Sequence, residues 1–141
     1  MDISRFNIVE KANEGAFMQL LHPTDNTPIT DKDGTKVGIT LLGFDSDKCR
    51  KLRLKATNQA LNRKRGQKTS AEEIEARGIK QIAECGVSWQ GIDKGGKPLL
   101  FSAENFEQLL TDQPWVKEQC DEFIGDRNNF LQNARQANSL R

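Results

Sequence analysis

Apolar positions come as short runs in the first third of the chain and at helical intervals afterwards. Residues 15–22 are a compact apolar stretch closed by Pro23, and residues 36–44 carry β-branched side chains in partial alternation. Both patterns predict strands. Between them Pro23, Asn26, Pro28 and the pair Asp33-Gly34 are turn formers, because proline presets φ and glycine reaches positive φ without a Cβ clash. Residues from about 6 to 12 predict a further strand. The start of the chain is therefore expected to be a small antiparallel sheet or hairpin.

The period changes at Asp45-Ser46-Asp47, where short oxygen side chains can accept the orphan amides of a helix. Cys49, Leu52, Ala56 and Ala60 then share a helical face, with Leu54 and Leu61 to its flank. This predicts a helix over 46–64 that ends near Gly66. Ser70-Ala71-Glu72-Glu73 is a capping box, followed by Ile74, Gly78, Ile82 and Cys85 at helical spacing as far as Gly86. Val87-Ser88-Trp89-Gln90-Gly91-Ile92 is β-like, residues 93–98 turn, and Leu99-Leu100-Phe101 return, which predicts a short hairpin near 87–101.

Ser102 should cap a helix carrying Phe106, Leu109 and Leu110 on one side. Pro114 opens a last helix at a position where its missing N–H costs nothing. Val116, Cys120, Phe123, Arg127 and Phe130/Leu131 form its expected inward stripe, interrupted by Gly125, which suggests a kink or a close helix contact. Residues 134–141 are polar and expected to fray. The fold class is α+β in one domain, 1–141. A β-rich part spans 1–44, and a mainly helical part of four to five helices spans 45–138.

Composition narrows the class. A chain of 141 residues fits one domain large enough to do without a metal or disulfide staple. Leu, Ile, Val and Phe make up about 23% of it, above the level at which disorder is expected. No apolar run is long enough to span a membrane, and the opening residues lack a basic and then apolar signal pattern, so a cytoplasmic protein is expected. Cys49, Cys85 and Cys120 are odd in number and far apart. That fits a reducing compartment and small buried hydrophobes better than a disulfide frame.

The chemistry-bearing motifs are missing. His22, the single histidine, precedes Pro23 at a strand end and reads as a surface or turn residue. Asp31-Lys32-Asp33-Gly34 fails as a calcium loop: with Gly34 at the sixth position, Ile29 and Thr40 fall where carboxylates are required. Gly95-Gly96-Lys97 lacks a following Ser or Thr and runs into Pro98, so it is a turn rather than a phosphate loop. No catalytic, cofactor or metal residues are assigned, and no enzyme is expected.

The net charge of +1 hides a division. Residues 45–68 hold nine bases (Lys48, Arg50, Lys51, Arg53, Lys55, Arg63, Lys64, Arg65 and Lys68) against Asp45 and Asp47, a balance of +7. Residues 102–126 set Glu104, Glu107, Asp112, Glu118, Asp121, Glu122 and Asp126 against Lys117, a balance of −6. Two explanations compete: the basic helix packs near the acidic helices, or it faces a partner. Nucleic acid is not expected, because residues 45–88 contain no aromatic for base stacking and no recognition motif. The partner-binding candidates are Lys48, Arg50, Lys51, Lys55, Arg63, Lys64 and Trp115, the last in an accessible first helical turn. Trp89, in an apolar run, is assigned to the core.

The order of these segments carries a resemblance. Ile39-Thr40-Leu41-Leu42-Gly43-Phe44-Asp45-Ser46-Asp47 leads into the basic helix. Val87-Ser88-Trp89-Gln90-Gly91-Ile92-Asp93 precedes a glycine turn and Leu99-Leu100-Phe101-Ser102-Ala103-Glu104-Asn105. Pro114-Trp115-Val116 runs on to Asp126-Arg127-Asn128-Asn129-Phe130-Leu131. Over about 36–132 this resembles the tail assembly chaperones, and related tail-assembly proteins, of long-tailed bacteriophages and prophages. The resemblance implies a non-enzymatic protein of the bacterial host cytoplasm without cofactors. It would bind the tape-measure protein and keep it soluble until tail-tube subunits, a further expected partner, polymerise. Self-association and a longer frameshifted form are also implied. The alternative is a structural virion component such as a tail or connector protein, and behind it a nucleic-acid-binding regulator.

Overall fold

Three serines fix where three of the helices begin. In the computed structural model, which describes residues 1–63, 66 and 68–131, a short 3-10 turn, Ile3–Phe6, leads into α1 (Ile8–Glu14). Strands β1 (Ala16–Gln19) and β2 (Gly38–Leu41) follow, then α2 (Asp47–Leu61) and α3 (Ala71–Glu84). Next come β3 (Gly86–Gln90), β4 (Asp93–Lys94), β5 (Lys97–Pro98), α4 (Ala103–Asp112) and α5 (Pro114–Gly125). The Oγ atoms of Ser46, Ser70 and Ser102 accept from the amides of Cys49, Glu73 and Asn105 at 3.2, 3.2 and 3.0 Å. Each satisfies one of the donors that a helix start leaves unpaired. The architecture is α+β, as the residue pattern predicts.

The sheet has the order β1-β2-β3 and is antiparallel throughout. Ala16 faces Leu41 and Gln19 faces Gly38 across the first pair, and Ile39 faces Trp89 across the second. Ala16, Met18, Ile39 and Leu41 are buried, and the last three join Ile79, Ile82 and Ala83 of α3, Phe106 and Leu110 of α4, and Val116, Cys120 and Ile124 of α5 in one core. Full burial of a side chain such as Leu41 or Phe106 stabilises by roughly 1.5–3 kcal/mol. β3 begins hard against this core: a Cβ on Gly86 would lie 2.6 Å from the Phe106 ring, so only glycine fits there. The β1–β2 loop is stitched to the sheet through Leu20, whose N–H donates to Val37 O and whose carbonyl accepts from Ile29 N, both at 2.9 Å. The Gln119 side chain of α5 donates to Leu21 O and accepts from Leu21 N, each at 2.9 Å, which ties α5 to the end of β1.

Several expectations change. The strand expected over 6–12 is α1. Its residues Glu10, Lys11, Ala12 and Glu14 are helix formers, only Ala12 is buried, and Gly15 at φ +84° stops it. Residues 1–44 therefore hold a helix as well as two strands. The hairpin expected over 87–101 is reduced to β4–β5, because residues 86–90 pair instead with the free edge of β2. Gly91, at φ +75°, then turns the chain out of the sheet, and Leu99 returns beside Ile92 with an N–H···O bond of 2.9 Å. α2 is shorter than 46–64, and Ala60 is exposed rather than inward. Ile74 is 60% exposed, because the first six residues of α3 carry no buried side chain. Arg127 lies past the end of α5 and points outward, and Ile124 takes its place in the buried stripe. Gly125 is the last residue of α5, and a Cβ there would meet nothing within 4 Å, so it marks a helix end and not a helix contact. The tail 134–141 lies outside the described residues.

Two of the cysteines meet in space. Cys49 in α2 and Cys85 after α3 lie side by side, with 6.3 Å between their Cα atoms, and both are buried. They stand 36 residues apart in the chain, and only the antiparallel return of α3 past the start of α2 brings them together. Cys120 is buried apart from them, and burial, aided by the neighbouring Asp121 charge, pushes its pKa up to about 12.

Trp89 and the cysteines make the packing testable. Trp89 is half-buried, donates its indole N–H to Leu99 O at 2.7 Å, and meets Phe101 and Phe106 edge-on at centroid distances of 5.1 and 6.0 Å. Trp89→Ala is expected to destabilise the fold by about 3 kcal/mol in urea unfolding, whereas Ile74→Ala stays within about 0.5 kcal/mol. Alkylation of the native protein at pH 8 should label no cysteine; unfolding should expose three thiols in the reduced protein, and one after mild oxidation of the native protein, which bridges the adjacent pair. Three reactive thiols after that oxidation would exclude the side-by-side placement of Cys49 and Cys85.

Candidate protein-binding surface

The surface is built from the way α2 is anchored. Its N-terminal end sits in a junction of bonded groups. Gly43 N–H donates to Ala12 O at 3.0 Å, Phe44 N–H to Ile124 O at 3.0 Å, and Ser46 N–H to Gly43 O at 2.9 Å. Asn13 holds Asp47 from both sides, accepting its N–H at 2.8 Å and donating to its carboxylate at 3.0 Å. Asp45 takes a two-pronged bond from Arg127, at 2.7 and 2.9 Å. That bond, more than the nearby Arg53 charge, holds the Asp45 carboxyl below its ordinary range.

Helix geometry then divides the basic residues. At 100° per residue, Arg53 falls on the same side as Cys49 and Ala56. It is used within the chain: its guanidinium lies 3.7 Å above the Phe44 ring and donates to Phe44 O. Lys48, Arg50, Lys51 and Lys55 are exposed, and no carboxylate of the described residues pairs with them. Arg63 differs, because its guanidinium lies 4.0 Å from Glu73 across the α2–α3 turn. Lys64 lies outside the described residues.

Trp115 does not join this set. It is half-buried against the core in the first turn of α5, with its indole N–H donating to Gln113 Oε1 at 2.8 Å. α5 meets α2 at its other end, where Asp121 and Ile124 share a depression with Leu52 and Arg53. That is six to nine residues beyond Trp115, about 9–13 Å along the helix. Of the two explanations for the divided charge, internal neutralisation is not observed: among the described residues no ion pair joins a base of α2 to an acid of α4 or α5.

Sequence reasoning missed two residues of this surface. Leu54 and Leu61 are 52% and 76% exposed on α2. Their seven-residue spacing is visible in the sequence, and with Cys49 and Ala56 taken as the inward side it places both on the opposite side. His22 lies in an exposed turn with Thr24 and Asp25. No three His, Cys, Asp or Glu of the described residues are grouped as a metal site. No family model matches the chain, and neither curated proteins nor solved structures give a match.

The Asp45–Arg127 pair makes a pH-dependent contribution with a definite sign. The folded-state pKa of Asp45 is lowered, so its contribution is complete above the ordinary carboxylate pKa of about 4 and is lost as pH falls through the lower folded value. Asp45→Asn should therefore lower stability at pH 7 and make the loss between about pH 5 and 2 shallower. Acid titration of unfolding free energy, with the unsubstituted chain alongside, checks this.

Proposed function

We propose that this chain is a non-enzymatic tail-assembly chaperone of a long-tailed phage or prophage, working in the bacterial cytoplasm. It binds the tape-measure protein and holds it soluble until tail-tube subunits assemble. The observation that carries the reading is α2. This helix is tied to the body at one end and presents on its outer side Lys48, Arg50, Lys51 and Lys55, with no carboxylate partner among the described residues, and the exposed Leu54 and Leu61. Such a surface suits a protein partner better than a small substrate, because apolar contacts supply affinity and charge supplies orientation. The resemblance over about 36–132 supplies the identity of the partner.

Co-expression with the adjacent gene for a long helical protein tests the reading. The expected result is co-purification and a larger soluble fraction of that protein. Neither effect, with both proteins well expressed, overturns it. Purified virions decide between the chaperone and the structural component, since a chaperone is missing from the particle and a tail or connector protein stays.

A further inference from the structure

The outer side of α2 has a pattern of its own. Leu54 and Leu61 are two helical turns apart, about 10.5 Å, and differ by only about 20° around the axis. Relative to Leu54, Arg50 falls about 40° to one side, while Lys51, Lys55 and Lys48 fall about 60–120° to the other. The two leucines thus form a short apolar seam, with Thr57 and Asn58 beside it, Arg50 on one flank and Lys51, Lys55 and Lys48 on the other, a layout on which a partner helix can seat. The opposite side of α2 is already occupied, through buried Cys49 and half-buried Leu52 and Ala56.

The lysine flank continues into α3. Lys55 borders a depression of about 110 Å³ between α2 and α3, where Arg77 and Lys80 join it and Glu84 is the one carboxylate. That excess of positive charge makes the two flanks unequal.

We propose that this seam docks an acidic amphipathic helix of a protein partner. The helix lays its apolar stripe on Leu54 and Leu61, and its more acidic edge lies toward Lys51, Lys55 and the Arg77–Lys80 depression. The inference rests on the protein-binding reading above and names the chemistry of the partner segment. Nucleic acid is disfavoured by the same arrangement, because phosphates would lie over two leucines and no aromatic of α2 is present to stack a base.

The test uses the full chain and three fluorescent probes. These are a 28-residue helical peptide with Leu at its a and d positions and Glu at e and g, the same peptide with Lys at e and g, and a 20-base-pair DNA duplex. The acidic peptide should bind at least tenfold more tightly than the basic one, and salt should weaken it. Leu54→Gln with Leu61→Gln should lower that affinity at least tenfold, as should Lys51→Glu with Lys55→Glu. Glutamine and glutamate keep a helix propensity close to that of the residues they replace, so circular dichroism and melting should be unchanged. Equal binding of the two peptides, or an affinity indifferent to the leucine changes, overturns the seam. DNA binding tighter than that of the acidic peptide also overturns it.

The leucine variant in the tape-measure co-purification separates the two readings. If the unsubstituted chain binds the acidic peptide but captures no tape-measure protein, the seam stands and the tail-assembly reading falls. If the variant captures tape-measure protein as well as the unsubstituted chain does, the seam falls and the tail-assembly reading stands.

Discussion

The turn from Gly43 to Ser46 is the constraint on which the other elements depend. Five residues, 42–46, connect the end of the central strand to the start of α2, and their backbone reaches α1 through Ala12 and α5 through Ile124. Ser46 is completely buried and commits its hydroxyl to the first turn of α2. Space is equally tight: a Cβ on Gly43 would lie 2.8 Å from that of Ala12 and 3.1 Å from the Phe130 ring. The approach of α1, the end of α5 and the sheet to a single point requires a residue without a side chain. Buried backbone groups must be bonded, and here the bonds run between elements, so the junction fixes mutual position as well as local shape.

Anchoring at one end explains why α2 can be so polar. Apart from Cys49 it has no buried side chain, yet it runs for 15 residues. A helix of that length is marginal in isolation. The serine cap, the Asn13–Asp47 exchange, the stacking of Arg53 on Phe44 and the packing of Cys49 against Cys85 all act in its first two turns. Nucleation, the costly step, is thereby done by tertiary contacts, and the outer face is freed from core duty. The separation of charge follows the same division. Acids on α4 and α5 and bases on α2 sit on elements that pack through apolar inward stripes, so their charges are left for solvent or a partner. Pairing them internally would contribute little, since exposed ion pairs are worth about 0–1 kcal/mol.

Local signals in the sequence were sufficient for most of the helical part. Ser46, Ser70 and Ser102 act within three residues, and the stripes of Phe106 with Leu110 and of Val116 with Cys120 follow one helical period. The errors arose where a choice depended on distant residues. Residues 87–90 look the same whether they pair with 99–101 or with β2, and the free edge of β2 decides it. The meeting of Cys49 with Cys85 requires knowing that α3 returns antiparallel to α2. Arg127 has the right spacing for the α5 stripe, but the helix ends two residues before it and Asp45 claims its guanidinium. At the candidate surface the bases were legible as a group, but not that Arg53 turns inward to Phe44 or that Trp115 belongs to the other end of α5.

The proposed partner depends on reading that group of charges together with the leucines beside it. A run of bases by itself describes a solvated helix, a polyanion site or a protein contact equally well, because charge attracts without discriminating shape. Leu54 and Leu61, 52% and 76% exposed, are what the proposed docking adds to that charge. On that proposal a protein helix covers them along a line set by the anchored first turns of α2, whereas a phosphate backbone would offer them nothing to bury against. Their alignment follows from the seven-residue spacing and from Cys49 holding the opposite side of the helix inward. The buried Cys49, the buried serine and the exposed leucines are thus parts of one arrangement, in which fixing one side of α2 aims the other.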